Sequence, residues 1–126
     1  MNQGTHKNSL TKTALVAMAT GTCVKLSAAD STKIEPCGAT DEACLGALLD
    51  SVQAGDNVAI ALFGVSNSTI LAAANGAIAT GAKVYLAADG KVAADGTIFV
   101  GIALDSAVID GNLIELAHRA PTEETV

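Results

Sequence analysis

An internal duplication constrains the fold of this chain more than any other feature. Residues 17–28 (AMATGTCVKLSA) align without gaps with residues 77–88 (AIATGAKVYLAA). After a length difference, residues 45–51 match residues 100–106 through a shared Gly-x-x-Leu-Asp-Ser pattern. The same motifs in the same order indicate that both halves form one structural unit. Two units are too few for a solenoid.

The match continues from residues 57–60 to residues 112–115, which sets the predicted repeats at residues 17–62 and 77–117. One half also helps to interpret the other. Residues 41–50 alone resemble an acidic helix start. Their counterpart around residues 96–104 is rich in β-branched and aromatic residues, which favours a strand. We therefore predict strands in both places.

The remaining pattern is typical of an all-β domain. Val84 and Leu86 alternate with polar neighbours, and Asp89-Gly90 is a strong hairpin signal. Residues 57–63 and 70–74 form apolar runs on either side of a polar turn. Turn residues recur at intervals of roughly 8–12 residues. We predict a compact β-sandwich or barrel-like domain built from two duplicated β units.

The predicted organisation has three parts. Residues 1–13 are polar and are interpreted as an extended N-terminal arm, residues 14–120 as a single β domain, and residues 121–126 as an acidic tail. Within the first half, residues 29–43 have no counterpart of equal length and are predicted to form a surface loop. Deleting the arm is expected to leave the β domain folded.

Composition excludes some functions and makes a partner necessary. Half of the 126 residues are hydrophobic, yet aromatics supply only 2% and alanine about a fifth. Alanine buries little apolar area, so the core is expected to be weak. Together with the apolar strands at residues 58–63 and 70–74, this predicts a homotrimer whose interface adds stability. The net charge of −6 argues against a nucleic-acid surface. No apolar run reaches the roughly 18 residues of a membrane span.

Groups that could converge on a catalytic site are scarce. The histidines are His6, in the predicted arm, and His118, near the end of the last strand. The serines of residues 64–68 lack the glycine of a nucleophile elbow, and no phosphate-binding glycine motif is present. The chain is therefore predicted to be no enzyme and to bind no cofactor or metal.

Two smaller features have a structural interpretation. Cys37 and Cys44 could close a short disulfide loop, with Cys23 left over, but reduced, inert thiols are favoured in a chain without export signals. The repeated Asp-Ser pairs at residues 50–51 and 105–106 are interpreted as side chains that hydrogen-bond the backbone at turns.

Residues 76–92 (GAIATGAKVYLAADGKV) and 98–106 (IFVGIALDS) resemble the decoration, or cement, proteins of tailed-bacteriophage heads. The resemblance implies a compact β domain, often trimeric, that binds the outer surface of the capsid at local symmetry axes. There it braces adjacent copies of the major capsid protein against internal genome pressure. It also implies assembly in the host cytoplasm and residence on the virion.

The polar arm is the predicted contact with the capsid. Its candidate partner-binding residues are Asn2, His6, Lys7 and Lys12.

Two alternatives stay open from the sequence. A biotinyl- or lipoyl-type carrier module also has duplicated β halves, and Lys91 follows the hairpin turn as a modified lysine would. A secreted or surface adhesin would use the short apolar run at residues 14–19 as part of a removable leader.

Overall fold

Strands dominate the structure, which is a computed structural model that describes residues 9–41, 43–65 and 68–123. No α-helix is present in those residues; they hold ten strands and a 3-10 turn at Ala88–Gly90. The strands are β1 (Ser9–Ala14), β2 (Cys23–Leu26), β3 (Lys33–Pro36), β4 (Gly46–Leu48), β5 (Asn57–Leu62), β6 (Ile70–Ala73), β7 (Lys83–Leu86), β8 (Val92–Ala93), β9 (Ile98–Ala103) and β10 (Leu113–Glu123). The predicted all-β class is confirmed.

The two halves repeat the same topology. The first half is a closed barrel with the order β1-β3-β2-β4-β5, in which β1 pairs with both β3 and β5. The second half is an open sheet with the order β6-β10-β9-β7-β8. Each strand of the sheet corresponds to one of the barrel, with β6 in the place of β1 and β8 in the place of β3. The duplication seen in the sequence is therefore also present in the fold.

Hydrogen bonds around the repeated Thr-Gly motif match between the halves. The Gly21 amide donates to the Leu48 carbonyl at 3.0 Å, and the Gly81 amide donates to the Ala103 carbonyl at 2.8 Å. Both glycines have a φ of 85°, a left-handed conformation that side chains with a Cβ rarely adopt. The backbone conformation at this position thus explains why both repeats have glycine there.

The last part of the sequence alignment is wrong by one residue. Thr13 pairs with Asn57 in the barrel, and the corresponding Ala73 pairs with Leu113 in the sheet, so Leu113 rather than Asn112 is the structural counterpart of Asn57. The turn at residues 107–112 contains one residue more than the turn at residues 52–56. The two asparagines coincide in the alignment only because that extra residue was not recognised.

Three predicted boundaries also change. Residues 9–13 of the predicted arm belong to β1, where five residues pair with β5. Residues 33–36 of the predicted loop form β3, because Ile34 is buried inside the barrel and its neighbours face outward. Residues 121–123 of the predicted tail continue β10. Residues 1–8 and 124–126 lie outside the described residues.

The molecule has two hydrophobic cores, one inside the barrel and one between the halves. The barrel interior is filled from the first half alone, by Ala14, Met18, Val24, Ile34, Leu48, Val52, Val58 and Ile60. The second core lies between the halves and includes nearly all of the buried apolar residues of the sheet. The first half contributes Cys23, Ala47 and Ala61 to it from the outer wall of the barrel. The outer wall of the barrel therefore closes the open sheet.

Small residues form the part of that outer wall that packs against the sheet. Cys23 pairs with Ala47, and Ala47 pairs with Ala61, so the three form a row across β2, β4 and β5. All three are at most 5% exposed. Larger side chains would hold the sheet away from the barrel, since protein interiors are close-packed.

Candidate functional site

The structure does not bring the predicted arm residues together. Asn2, His6 and Lys7 lie outside the described residues. Lys12 lies in β1 in the wall of the barrel, and its Nζ donates to the Ser31 carbonyl at 3.3 Å. The interpretation of Lys12 as part of an extended arm is wrong, because its backbone pairs with Val58 of β5.

The cysteines differ from the favoured prediction. Cys37 and Cys44 form a disulfide, with Cα atoms 5.9 Å apart, so the preference for reduced thiols was wrong for this pair. Their distance lies within the range that a disulfide spans. Cys23 is a free, buried thiol whose pKa is raised to about 12 by burial. A thiol in this environment is protonated and unreactive.

The disulfide loop fastens the second half to the barrel. The Gly90 amide of the hairpin between β7 and β8 donates to the Cys37 carbonyl at 2.8 Å. A Cβ added to Gly90 would lie 2.5 Å from Thr22 Cγ2 and 2.8 Å from the Cys23 carbonyl oxygen. The Asp-Gly hairpin that the sequence predicted is thus a docked turn, and its glycine allows the close approach.

One carboxylate orders the disulfide loop. Asp41 Oδ2 accepts from the Gly38 amide at 2.7 Å and lies 3.0 Å from Lys25 Nζ. The Gly38 hydrogen bond, followed by that from Lys25, holds the pKa of Asp41 below its usual value. These contacts fix the loop on β2.

One side chain of each repeated Asp-Ser pair accepts a hydrogen bond from the backbone. Ser51 Oγ accepts from the Thr20 amide at 3.1 Å, and Asp105 Oδ1 accepts from the Glu115 amide at 3.0 Å. The described part of the chain contains no group of three or more His, Cys, Asp or Glu side chains that could hold a metal ion. The structural interpretation of these pairs fits their contacts.

His118 also has a structural place. Its Nδ1 accepts from the Gly64 amide at 2.7 Å, and its Nε2 lies 2.9 Å from the Ser68 carbonyl oxygen. Both contacts are hydrogen bonds only in the neutral tautomer with the proton on Nε2. His118 therefore anchors the connection between the halves to β10.

Three exposed leucines lie together on the outer surface of the sheet. Leu71 on β6 is 48% exposed, Leu113 on β10 is 43% exposed, and Leu104 after β9 is 44% exposed. The Leu104 amide donates to the carbonyl of Glu115, and Glu115 Oε2 accepts from Thr69 Oγ1. We refer to Leu71, Leu104, Leu113 and Glu115 as the leucine face. Nothing in the sequence analysis singled out this surface.

A groove of about 390 Å³ adjoins the leucine face where the two halves meet. Its lining is mainly apolar, with Leu49 contributed by the barrel and Leu71 by the sheet. Thr20, Thr69 and Glu115 supply polar groups. Leu71 and Glu115 belong to both features, so the groove and the leucine face form one continuous surface.

No helix in the described residues has the length and apolar character needed to cross a membrane.

Comparison with known proteins identifies the family. The family model of the phage cement protein matches residues 3–118. No curated protein matches the sequence. The solved structure of the head fiber gp8.5 N base of bacteriophage phi29 is similar in fold, with a TM-score of 0.68 and 17% sequence identity. The similarity covers 93% of this chain and 98% of the phi29 chain. The match over nearly the whole sequence shows that the chain belongs to the phage cement protein family, whose members have a structural role in the phage head.

Proposed function

We propose that this protein binds the outer surface of a phage head and stabilises contacts between copies of the major capsid protein. The observation that carries the proposal is the match of the phage cement family model to residues 3–118. The contacts of the described polar residues agree with it, since they order turns and join the two halves.

The exposed leucines support a role in assembly. The net charge of −6 argues against a nucleic-acid partner, and the few aromatic residues argue against stacking on bases. A protein is therefore the partner that we propose. Isolated exposed leucines are common, but adjacent ones are typical of interaction sites. The leucine face supplies such a surface.

We also propose that residues 1–8, which hold Asn2, His6 and Lys7, contribute to attachment. The chain enters the barrel at Ser9, which pairs with Ala61. Because Ala61 also lines the groove, the described chain starts, at Ser9, next to this surface. Removing residues 1–8 should weaken attachment to heads and leave the melting temperature unchanged; unchanged occupancy would reject the contribution.

A homotrimer remains part of the proposal, on altered grounds. The apolar runs that motivated it are largely internal, since Val58 and Ile60 fill the barrel and Ile70, Ala72 and Ala74 fill the core between the halves. The remaining motive is exposed apolar surface outside the leucine face, at Val108 and Ile109, which are 76% and 64% exposed. Sedimentation equilibrium at micromolar concentration should give three times the chain mass, and a monomer would reject the trimer.

The carrier alternative loses its structural motive. Lys91 Nζ lies 2.8 Å from Asp110 Oδ1, and the turn before it is docked on the barrel through Gly90. A carrier lysine has to project from a free hairpin to reach its modifying enzyme. An unmodified intact mass from a competent host would reject the carrier function.

Co-sedimentation tests the proposal. Heads of the phage that encodes this chain, assembled without it, are mixed with purified protein and pelleted. Saturable recovery in the pellet supports the function. Recovery no higher than that of an unrelated acidic protein of equal size would reject it, and it would favour the adhesin alternative if the mature chain also lacked its first residues.

A further inference from the structure

We infer that the leucine face is the surface by which this protein contacts the capsid, and that it fits an apolar patch flanked by a cationic or hydrogen-bond-donating group. The inference rests on the proposed function, which names the capsid as the partner. It also specifies the half of the molecule that faces the capsid and the chemical groups that the capsid presents to it.

The duplication provides an internal control for two of these leucines, Leu71 and Leu113. The third, Leu104, corresponds to Leu49 of the barrel, which is also exposed. In the barrel, Thr11 pairs with Ala59 and Thr13 pairs with Asn57. At the same register in the sheet, Leu71 pairs with Glu115 and Ala73 pairs with Leu113. Leu71 therefore occupies the position of Thr11, and Leu113 that of Asn57.

The barrel shows that this position in the fold does not need leucine. Thr11 and Asn57 are exposed, and Asn57 Oδ1 accepts from Thr13 Oγ1 at 2.7 Å. The same strand pair thus forms with a polar outer face. Leucines on the second copy add apolar surface that contact with water disfavours. A partner that covers them accounts for their presence.

Charge favours a different protein over a second copy of this chain. Glu115 lies within the leucine face, next to Leu104 and opposite Leu71. A two-fold contact through this face would bring two Glu115 carboxylates together, and like charges at an interface are costly. The chain as a whole also carries a net charge of −6. A partner that places a donor or a cation against Glu115 avoids both penalties.

The groove gives the partner a definite point of entry. Ala47, Ala61 and Ile70 are buried residues that line it, and Leu49 and Leu71 are exposed at about half of their surface. Contacts that dominate binding energy are typically apolar anchors inserted in such pockets. An aliphatic or aromatic side chain of the capsid protein would fit it.

The experiment compares three forms of the full chain in the co-sedimentation assay. Leu71→Thr with Leu113→Asn installs the residues that the barrel carries at the same positions. Leu71→Thr alone is a second variant, because Leu113 also packs close to Gly21. Leu26→Thr is the matched control, since Leu26 is a similarly exposed leucine, at 40%, in the barrel. Circular dichroism and sedimentation equilibrium verify folding and mass.

The double variant is expected to bind heads at least tenfold more weakly, and Leu71→Thr alone several-fold more weakly, while Leu26→Thr binds like the unmodified chain. If the unmodified protein binds and Leu71→Thr binds equally well, the inference is overturned and the proposed function stands. If the variants lose their oligomeric mass and keep their affinity for heads, the face is a self-contact and the inference is overturned. If the unmodified protein does not bind heads, the proposed function fails and the inference fails with it.

Discussion

The two halves of this molecule share one strand topology, but one half is a closed barrel and the other is an open sheet. The first closes into a barrel, because β1 pairs with β5 on one side and with β3 on the other. The second stays open, since β6 pairs with β10 but approaches β8 only through a bridge between Ala74 and Val92. The corresponding strands β3 and β8 have four and two residues. A short strand at one position thus separates a closed unit from an open one.

The difference determines how each half is stabilised. The barrel fills its own interior, whereas the sheet packs its buried face on small residues of the barrel wall. At two positions of its outer face the sheet carries leucine, Leu71 and Leu113, where the barrel carries threonine and asparagine. The first half therefore serves as the support and the second as the surface proposed for binding.

The largest effect on stability is expected from removing β1, the strand that closes the barrel. Deleting residues 1–13 removes five of the six residues of β1, including every residue that pairs with β5 and one of the two that pair with β3. We expect loss of cooperative thermal unfolding, because the backbone groups of two strands lose their hydrogen bonds. Deleting residues 1–8 leaves β1 in place and is the control. A 1–13 deletion that still melted cooperatively near the original temperature would show that closure is unnecessary.

Gly46 and Gly101 occupy the same position in the two halves. Substituting each one tests whether the closed barrel tolerates an added side chain less well than the open sheet does. A Cβ added at Gly46 would lie 1.9 Å from the Ala61 carbonyl oxygen, and one added at Gly101 would lie 2.5 Å from the Ala117 carbonyl oxygen. We expect Gly46→Ala to cost about 3 kcal/mol or more and Gly101→Ala about 1–2 kcal/mol, because an open sheet can shift its strands. Urea unfolding midpoints measure both. Equal losses would mean that closure adds no rigidity.

Removal of the disulfide tests the connection between the halves. Cys37→Ala with Cys44→Ala, or reduction, should lower stability by about 2 kcal/mol, since the closed loop is short. Hydrogen exchange should accelerate at the Gly90 amide, which is bonded to Cys37, and stay slow at Ile60 in the barrel. Equal acceleration at both amides would show that the disulfide stabilises the barrel rather than the docked hairpin.

The smallest expected effect is an acid sensitivity that belongs to the first half. Hydrogen bonds lower the pKa of Asp41 from 3.8, so the unfolded state binds the proton more tightly. Its contribution is therefore present above that value and is lost as the pH falls through the lowered pKa. Asp41→Asn should flatten the dependence of the unfolding free energy on pH below about 4, by less than about 1 kcal/mol. Asp95→Asn, at an exposed turn of the second half, is the control; an equal change there would contradict the assignment.

Much of this architecture could be predicted because the two repeats correct each other. The strand at Gly46–Leu48 is ambiguous alone, and its counterpart at Ile98–Ala103 resolves it. The same logic could have found β1, since residues 9–14 correspond to residues 69–74. Their polar composition concealed it, because the outward residues Thr11 and Thr13 are solvated.

Other features depend on tertiary contacts that sequence patterns do not encode. Pro36 made residues 33–36 resemble a loop, yet Pro36 is the last residue of β3, where the lost donor matters little. The disulfide was disfavoured by an argument about compartment, whereas the fold brings the two cysteines together. The leucine face combines residues of β6 and β10 with Leu104, which follows β9, and it is recognised only when the pairing register aligns β6 and β10 with the barrel.

A cryo-EM reconstruction of heads decorated with this protein tests the central claim most directly, because it shows which half faces the shell. The account predicts that Leu71 and Leu113 contact the capsid protein and that Thr11 and Asn57 face solvent. Density that places Thr11 and Asn57 against the shell, with the leucines exposed, would contradict it.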